Sequence, residues 1–292
     1  MRNIASGGGA SARGIAAIVG VGPKLGRSIA RKFAHEGYTV AILARRLSRF
    51  AEEIAREEKA QVFAIRIDCS DSRSVREAFE GVLSLGFVEV LVYNAHNHRQ
   101  PAAAVAAISS SSSSSSSAAA SFSRCTPQTQ YHPIKFTDIR IDSFEKSLAV
   151  STVGALHCAQ QVLPGMVERG RGTILFTGCS ASLNGIAGFS ELCCGKFALR
   201  ALSQCLAREV QPLGVHVAHI IIDGIVGTPS RSSSSSTSQR STVGEQLIGG
   251  GASSMDPDAL AQTYWYLHIQ DRTAWTQEID LRSSSSTQIY NF

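Results

Sequence analysis

The stretch GIAAIVGVGPKLGRSIARKFAHEGYTVAILA, residues 14–44, decides the fold of this chain. It opens with a short apolar run that is typical of a buried strand. Leu25, Ile29 and Phe33 then recur at helical spacing, which places them on one face of a helix. A second apolar run, 38–44, follows a glycine that ends this helix. The stretch therefore predicts a strand, a helix and a second strand joined as a parallel crossover unit.

The same alternation continues along the chain, without the short turns that mark hairpins. The predicted strands are 14–20, 38–44, 61–68, 88–95, 172–178, 215–222 and a short one near 276–281. The predicted helices are 25–36, about 47–58, 72–84, 143–167, about 190–211 and one near 257–269. Continuous apolar strands between amphipathic helices predict an α/β fold, a single Rossmann-type doubly wound parallel sheet with helices on both faces.

Three serine-rich stretches interrupt this order, and one of them holds nine consecutive serines at 109–117. Such a composition cannot bury enough apolar surface to offset the entropy that is lost on ordering. The predicted organisation is a disordered tail over 1–13, one dinucleotide-binding domain over 14–282 with low-complexity insertions at about 99–130 and 229–242, and a C-terminal tail over 283–292.

Composition and charge limit the classes of partner. The chain has 292 residues and a formal net charge of +5, without a basic block typical of a nucleic-acid-binding surface. The uncharged run 147–167 is about as long as a membrane span. It contains His157 and Pro164 and few leucines, so it predicts a buried amphipathic helix instead. We therefore predict a small-molecule substrate, with no nucleic-acid partner and no membrane span.

The N-terminus and the cysteines indicate the compartment. The N-terminus lacks the apolar core of a secretory signal, and its arginines leave a short transit peptide as the alternative to a disordered tail. The seven cysteines show no spacing typical of metal ligands, so we predict no metal site. Most of them lie in apolar segments, which predicts reduced, buried thiols in a cytoplasmic protein.

The loop after the first predicted strand has the context of a phosphate-binding loop. Gly20, Gly22 and Gly26 are spaced G-x-G-x-x-x-G, which differs from the G-x-G-x-x-G dinucleotide fingerprint. The loop nevertheless follows a strand and opens a helix, whose first amides and dipole attract anions. A tight turn without a ligand remains the alternative reading of the glycines alone.

The end of the second predicted strand favours NADP over NAD. An acidic side chain at this place would bind the ribose 2′-hydroxyl of NAD. This chain has Arg45 and Arg46 there, and the first acid to follow is Glu52. Two guanidinium groups would attract the 2′-phosphate of NADP. The alternative is that both arginines are solvated residues at the start of a helix.

Several motifs in sequence order resemble the short-chain dehydrogenase/reductases. They are the glycine spacing, IDCSD at 67–71, LVYNA at 91–95 and KFALRAL at 196–202, and the resemblance extends from about 14 to 281. It implies one Rossmann-type domain that uses NAD(P) to reduce carbonyls or oxidise alcohols, in a homo-oligomer (dimer or tetramer). In that family the loop is T-G-x-x-x-G-x-G, so Lys24 occupies the position of the middle glycine.

The resemblance also assigns cofactor contacts. It places Asp68 and Cys69 beside the adenine, and Asn94 and Ala95 near the ribose. The stretch DGIVGT, 223–228, matches the family's P-G-x-x-x-T and would border the nicotinamide. The predicted NADP site comprises Gly20, Gly22, Lys24, Leu25, Gly26, Arg45, Arg46, Asp68, Cys69, Asn94, Ala95, Lys196, Gly224, Ile225 and Thr228.

The catalytic positions depart from the family pattern. The family uses a tyrosine as proton donor and a lysine four residues later, on the same helical face. Lys196 matches the lysine, but the residue four before it is Leu192, which cannot donate a proton. The family's catalytic serine falls at Cys179 or Ser180, and its helix asparagine matches Ser151. The predicted catalytic residues are therefore Lys196, Ser180 and Cys179.

Other candidates for the missing donor have only weak support from the sequence. Cys193 lies three residues before Lys196, and a thiol beside an ammonium can have a lowered pKa. The alternative is a buried structural cysteine. His96 and His98 follow the fourth strand, as catalytic groups or as exposed loop residues. The sequence thus leaves two hypotheses: an NADP-dependent oxidoreductase acting on a small carbonyl, alcohol or enone, and a non-catalytic NADP-binding scaffold or sensor.

Overall fold

The computed structural model describes residues 13–46, 49–97, 133–229 and 254–284. These ranges form a seven-stranded sheet in the order β3-β2-β1-β4-β5-β6-β7, and every neighbouring pair of strands is parallel. The strands are β1 (Ile15–Val19), β2 (Thr39–Ala44), β3 (Val62–Arg66), β4 (Val88–Tyr93), β5 (Gly172–Cys179), β6 (Val215–Asp223) and β7 (Glu278–Arg282). The helices are α1 (Leu25–His35), α2 (Phe50–Glu58), α3 (Ser72–Ser84), α4 (Ile141–Leu148), α5 (Gly154–Glu168), α6 (Ser190–Val210) and α7 (Pro257–His268).

The predicted Rossmann-type fold is confirmed. The chain winds outward from β1 to β3 and then returns to β4 on the other side of β1. The strand order therefore reverses between β1 and β4, and ligands of open α/β sheets bind at this switch point, beyond the carboxyl ends of the strands. All seven predicted strands are present, with ends that differ by at most two residues from the predicted ones.

Two hydrophobic cores explain why the strands are apolar throughout. Alternate side chains of each central strand point to opposite faces of the sheet, and helices cover both faces. One core includes Ala17, Leu91 and Phe176 from the strands, with Phe79 of α3, Val162 of α5 and Leu199 of α6. The other includes Ile18, Val92 and Leu175, with Phe33 of α1 and Tyr264 of α7.

The helix predicted over 143–167 is interrupted. A π-helical turn, Ala149–Val153, joins α4 to α5. This turn brings its polar side chains against α6, where Thr152 Oγ1 donates to the carbonyl of Gly195 at 3.1 Å. A Cβ atom on Gly195 would lie 2.9 Å from Ser151 Oγ, so the close approach requires glycine. Within the described ranges, no helix is sufficiently long and apolar to cross a bilayer.

The cysteines are less uniformly buried than predicted, because Cys194 and Cys205 are exposed and Cys179 is half-buried, while Cys69, Cys158 and Cys193 are buried. The outward face of an amphipathic helix carries the two exposed thiols. Residues 1–12 of the predicted tail, the whole insertion at about 99–130, all but residue 229 of the other insertion, and residues 285–292 lie outside the described residues. The domain boundaries therefore stay a prediction.

A half-buried histidine at the opposite end of the sheet from the switch point predicts acid sensitivity. His268 Nε2 lies 2.6 Å from the Tyr38 hydroxyl, and Nδ1 lies 2.9 Å from Thr173 Oγ1. Burial lowers the pKa of His268 to about 4, with smaller contributions from Arg13 and His216. The unfolded chain therefore takes up this proton more readily than the native protein does.

We expect this depressed pKa to cost stability as the pH falls from about 6.5 to about 4. A histidine titrating near 6.5 when unfolded and near 4 when folded gives a loss of about 3 kcal/mol at pH 4. Urea unfolding of the wild type and of His268→Gln at several pH values across this range gives the slope of the free energy of unfolding against pH for each protein. The slope should be steeper for the wild type. Parallel pH profiles for the two proteins would contradict the assignment.

Candidate active site

The glycine loop between β1 and α1 is held by close packing. Gly20 has φ +87°, and a Cβ atom there would lie 2.5 Å from the amide nitrogen of Ala95. A Cβ atom on Gly26 would lie 2.8 Å from Cα of Val21. A Cβ atom on Gly22, in contrast, would meet nothing within 4 Å. Two glycines are thus required by packing, and the third leaves open space at the loop.

The first turn of α1 faces this space. The amides of Arg27 and Ser28 bond back to the carbonyls of Gly22 and Lys24, so the amides before them lie at the free end of the helix. Leu25, the first helical residue, is buried. The Lys24 ammonium donates to the carbonyl of Val226 at 2.7 Å, which connects the loop to the segment after β6.

The end of β4 closes the side of the loop. The amide of Asn94 donates to the Val19 carbonyl at 2.8 Å, and its side-chain amide donates to the Gly20 carbonyl at 3.0 Å. Ala95 is buried against Gly20. These bonds place the predicted ribose-side residues directly beside the glycine loop.

The predicted adenine side lies beyond β2 and β3. Arg45 and Arg46 are exposed directly after β2. Asp68 accepts from the Ser70 amide at 2.9 Å and from its hydroxyl at 2.7 Å. Partial burial raises the pKa of Asp68, but these bonds and the charge of Arg45 outweigh it and lower the pKa. Asp68 is therefore a carboxylate near Arg45. Cys69 is buried, so its side chain is largely covered by the protein.

The predicted nicotinamide side follows β6. Gly224 has φ +158°, and a Cβ atom there would lie 2.9 Å from Met255 Sδ. Ile225 is 68% exposed, and Thr228 is also exposed. A single bridge pairs Val226 with Met255. This segment therefore presents an apolar side chain to the solvent at the carboxyl end of the sheet.

Lys196 of α6 is buried against β5, near the carboxyl end of that strand. It is 5% exposed, and its ammonium donates to the Thr177 carbonyl at 2.7 Å. Burial lowers the pKa of Lys196, and the neighbouring Cys179 thiol acts in the opposite direction. Cys179 is half-buried at the end of β5, with its amide bonded to Ser182 Oγ. Leu192 is half-buried one helical turn before Lys196.

Of the two candidate positions for the serine, the structure brings Cys179 close to Lys196. The Ser180 carbonyl instead begins the following turn, where it accepts from the amides of Leu183 and Asn184. Ser151 is buried in the π-helical turn, where Gly195 of α6 packs against it.

The structure favours a buried structural role for Cys193 over a thiolate. Burial raises the pKa of Cys193, and the nearby thiols of Cys179 and Cys194 act in the same direction. Its sulfur accepts a bond from the Ile186 amide at 3.3 Å, a structural contact. His96 is half-buried, with Nδ1 at 3.4 Å from the Asn94 carbonyl. His98 lies outside the described residues.

One buried polar group was missed by the sequence analysis. His219 on β6 is 1% exposed, and its Nδ1 lies 3.0 Å from Glu278 Oε2. Glu278 in turn binds Arg200 of α6. The signal available in the sequence was two histidines inside the otherwise apolar strand VHVAHIII, but the partner of His219 is 59 residues away and leaves no local pattern.

Comparison with known proteins identifies the family. A sequence profile described as "short chain dehydrogenase" matches residues 14–118 and 129–239. The chain belongs to the short-chain dehydrogenase family. The crystal structure of a short-chain dehydrogenase from Rhodopseudomonas palustris is 25% identical, with a TM-score of 0.68, covering 92% of this chain and 98% of that one. An alcohol dehydrogenase from the archaeon Thermococcus sibiricus, complexed with 5-hydroxy-NADP, is 22% identical with a TM-score of 0.69, over 94% and 99% of the two chains.

Matches to some curated relatives cover only part of the chain. A 3-ketodihydrosphingosine reductase of Mus musculus is 35% identical over 83 residues, which is 28% of this chain and 25% of that protein. The chain thus spans a quarter of the length of this relative. The family resemblance drawn from the motifs is confirmed, whereas the substrate of the relative says nothing about this chain.

Proposed function

We propose that this short-chain dehydrogenase is an NADP(H)-dependent oxidoreductase that acts on a small carbonyl, alcohol or enone. The observation that carries the cofactor assignment is the pair Arg45 and Arg46, exposed directly after β2. The Leu43 carbonyl, two residues earlier, accepts the amide of Gly20 at 2.8 Å. The two arginines therefore follow shortly after a residue that contacts the glycine loop. An acidic side chain at this place would favour NAD.

The residues present fit a dinucleotide. The open space at Gly22 and the free end of α1 can take the pyrophosphate, because helix N-termini bind anions through unpaired amides. The guanidinium groups of Arg45 and Arg46 can bind the 2′-phosphate by charge-assisted bonds. The Thermococcus sibiricus structure, which shares this fold, holds an NADP derivative. When bound, NADPH would supply a hydride.

Two side chains near the switch point can serve the chemistry. The Lys196 ammonium has one bond to the Thr177 carbonyl and further N–H donors that can hold a ribose hydroxyl. Cys179 carries an S–H group that is half-exposed beside Lys196, and it can donate the proton that a reduced carbonyl oxygen needs.

A non-catalytic NADP-binding scaffold or sensor is the second candidate. Leu192 favours it, because a leucine four residues before Lys196 removes the family's proton donor from that position. Both candidates include cofactor binding, so binding alone does not separate them.

Turnover separates the two candidates. NADPH consumption is followed with a panel of aldehydes, ketones and enones, for the wild type, Lys196→Met and Cys179→Ala. Substrate-dependent consumption that falls in both variants supports the enzyme. Tight NADPH binding without consumption on any substrate supports the scaffold.

A further inference from the structure

Three hydrogen-bonded side chains, one of them fully buried, lie beneath Lys196 and have no part in the function proposed above. His219 Nδ1 lies 3.0 Å from Glu278 Oε2. The same carboxylate receives two bonds from the Arg200 guanidinium, at 2.7 and 2.8 Å. Both Arg200 and Glu278 are partly exposed, whereas His219 is 1% exposed. These hydrogen bonds thus connect α6, β7 and β6 and end at the buried imidazole of His219.

The second ring nitrogen of His219 is the unusual part of this group. Within the described residues, Nε2 is buried and has no hydrogen-bond partner. Because the Glu278 carboxylate accepts the Nδ1 proton, Nε2 of the neutral ring carries a lone pair. A Cβ atom on Gly178 would lie 2.3 Å from Nε2, so the ring lies across Gly178. A buried polar atom without a partner is costly, and a purely apolar core would avoid it.

The ring also faces the floor of the candidate active site. Lys196 donates to the carbonyl of Thr177, the residue directly before Gly178. Lys196 and Arg200 are four residues apart on α6, so both cations lie on the helix face that packs toward β5 and β6. The charged groups around the ring are therefore Glu278 from β7 and the two cations from α6, with the Cys179 thiol of β5 beside Lys196.

We propose that His219 is a positioning residue for Lys196: its neutral ring, held by Glu278, lets the Lys196 ammonium stay at the cleft floor, and its protonation weakens cofactor binding. Burial lowers the pKa of His219, the Glu278 carboxylate raises it, and the charges of Lys196 and Arg200 lower it further. The ring is thus neutral at neutral pH. A second cation beside a buried ammonium is unfavourable in a low-dielectric interior, so protonation displaces Lys196 or its proton.

The coupling itself can be tested without cofactor. Nitrogen-15 NMR of histidine-labelled protein follows the His219 ring against pH in the wild type and in Lys196→Met. The wild-type ring should titrate below 6.5 and carry its proton on Nδ1. Removing the ammonium should raise the pKa of His219 by about half a unit or more. Identical titrations in both proteins would overturn the proposal.

The effect of His219 protonation on cofactor binding rests on the proposed function, because this effect requires Lys196 to contact NADP. Calorimetric titration with NADP⁺ from pH 5 to 8 compares the wild type with His219→Asn, whose amide can still donate to Glu278 but cannot be protonated. Both proteins share the titration of the 2′-phosphate near pH 6. The wild type should lose about tenfold more affinity than His219→Asn between pH 7.5 and 5.

The outcomes distinguish the inference from the function. At pH 7.5 His219→Asn should bind NADP⁺ nearly as well as the wild type, because the neutral donor to Glu278 is kept. A loss of affinity of equal size at every pH would show a merely structural role and overturn the proposal. A loss of NADP⁺ affinity between pH 7.5 and 5 that is as large in His219→Asn as in the wild type would also overturn the proposal. Failure of the wild type to bind NADP⁺ would refute the proposed function, and the NMR titration would still decide the coupling.

Discussion

Leu192→Tyr should raise carbonyl reduction by roughly 10²- to 10⁴-fold, the range that a positioned general acid typically contributes. Leu192 lies in the first turn of α6, four residues before Lys196, so the new hydroxyl would lie on the helix face that carries the lysine. The buried Lys196 ammonium would stabilise the phenolate that is left after the proton is donated. Steady-state rates with NADPH and a small ketone measure the gain.

Leu192→Phe is the matched control, because it adds the same ring without the hydroxyl. The tyrosine variant should exceed both the wild type and the phenylalanine variant, with NADPH affinity unchanged in all three. Equal rates for the tyrosine and phenylalanine variants would contradict this prediction, and would show that a hydroxyl at position 192 does not reach the reacting carbonyl.

Gly20→Ala should destabilise the protein by about 3 kcal/mol or more. A non-glycine residue at φ +87° is strained by roughly 1–3 kcal/mol. The added Cβ atom would also lie 2.5 Å from the backbone of Ala95, and such overpacking typically costs about 1–3 kcal/mol. Urea unfolding monitored by circular dichroism measures the change.

Gly22→Ala, in the same loop, separates folding from cofactor binding. Its Cβ atom would meet nothing within 4 Å, so the free energy of unfolding should stay within about 1 kcal/mol of the wild type. Its affinity for NADP⁺ should fall, because the methyl group would occupy the space expected for the pyrophosphate. Equal stability losses in the two variants would contradict the loop geometry.

The sequence predicted the fold well because burial on both faces makes every central strand continuously apolar, and the helices between them have clear periodicity. Gly20 and Gly26 were also predictable, since their spacing reports a tight loop. The π-helical turn before Gly154 was not, because it depends on the close approach of Ser151 to Gly195 on another helix. Local periodicity carries no information about such a contact.

The electrostatics of the candidate site were less predictable for the same reason. The bonds between Arg200, Glu278 and His219 join residues 59 and 78 positions apart, and no spacing rule links them. Cys193 was considered for a lowered pKa because of its neighbour Lys196, but burial is the larger effect and raises it. The depth of a side chain in the fold, which decides such shifts, is fixed only by packing.

We propose that the cleft between β1 and β4 binds NADP(H) through its glycine loop and the arginines after β2. Parallel calorimetric titrations with NADP⁺ and NAD⁺, on the wild type and on the Arg45→Ala/Arg46→Ala double variant, test it most directly. A charge-assisted phosphate contact contributes roughly 1.5–3 kcal/mol, so the wild type should bind NADP⁺ at least about tenfold more tightly than NAD⁺. The double variant should lose that preference while keeping its affinity for NAD⁺. Equal affinity of the wild type for the two cofactors, or no binding of either, would contradict the account.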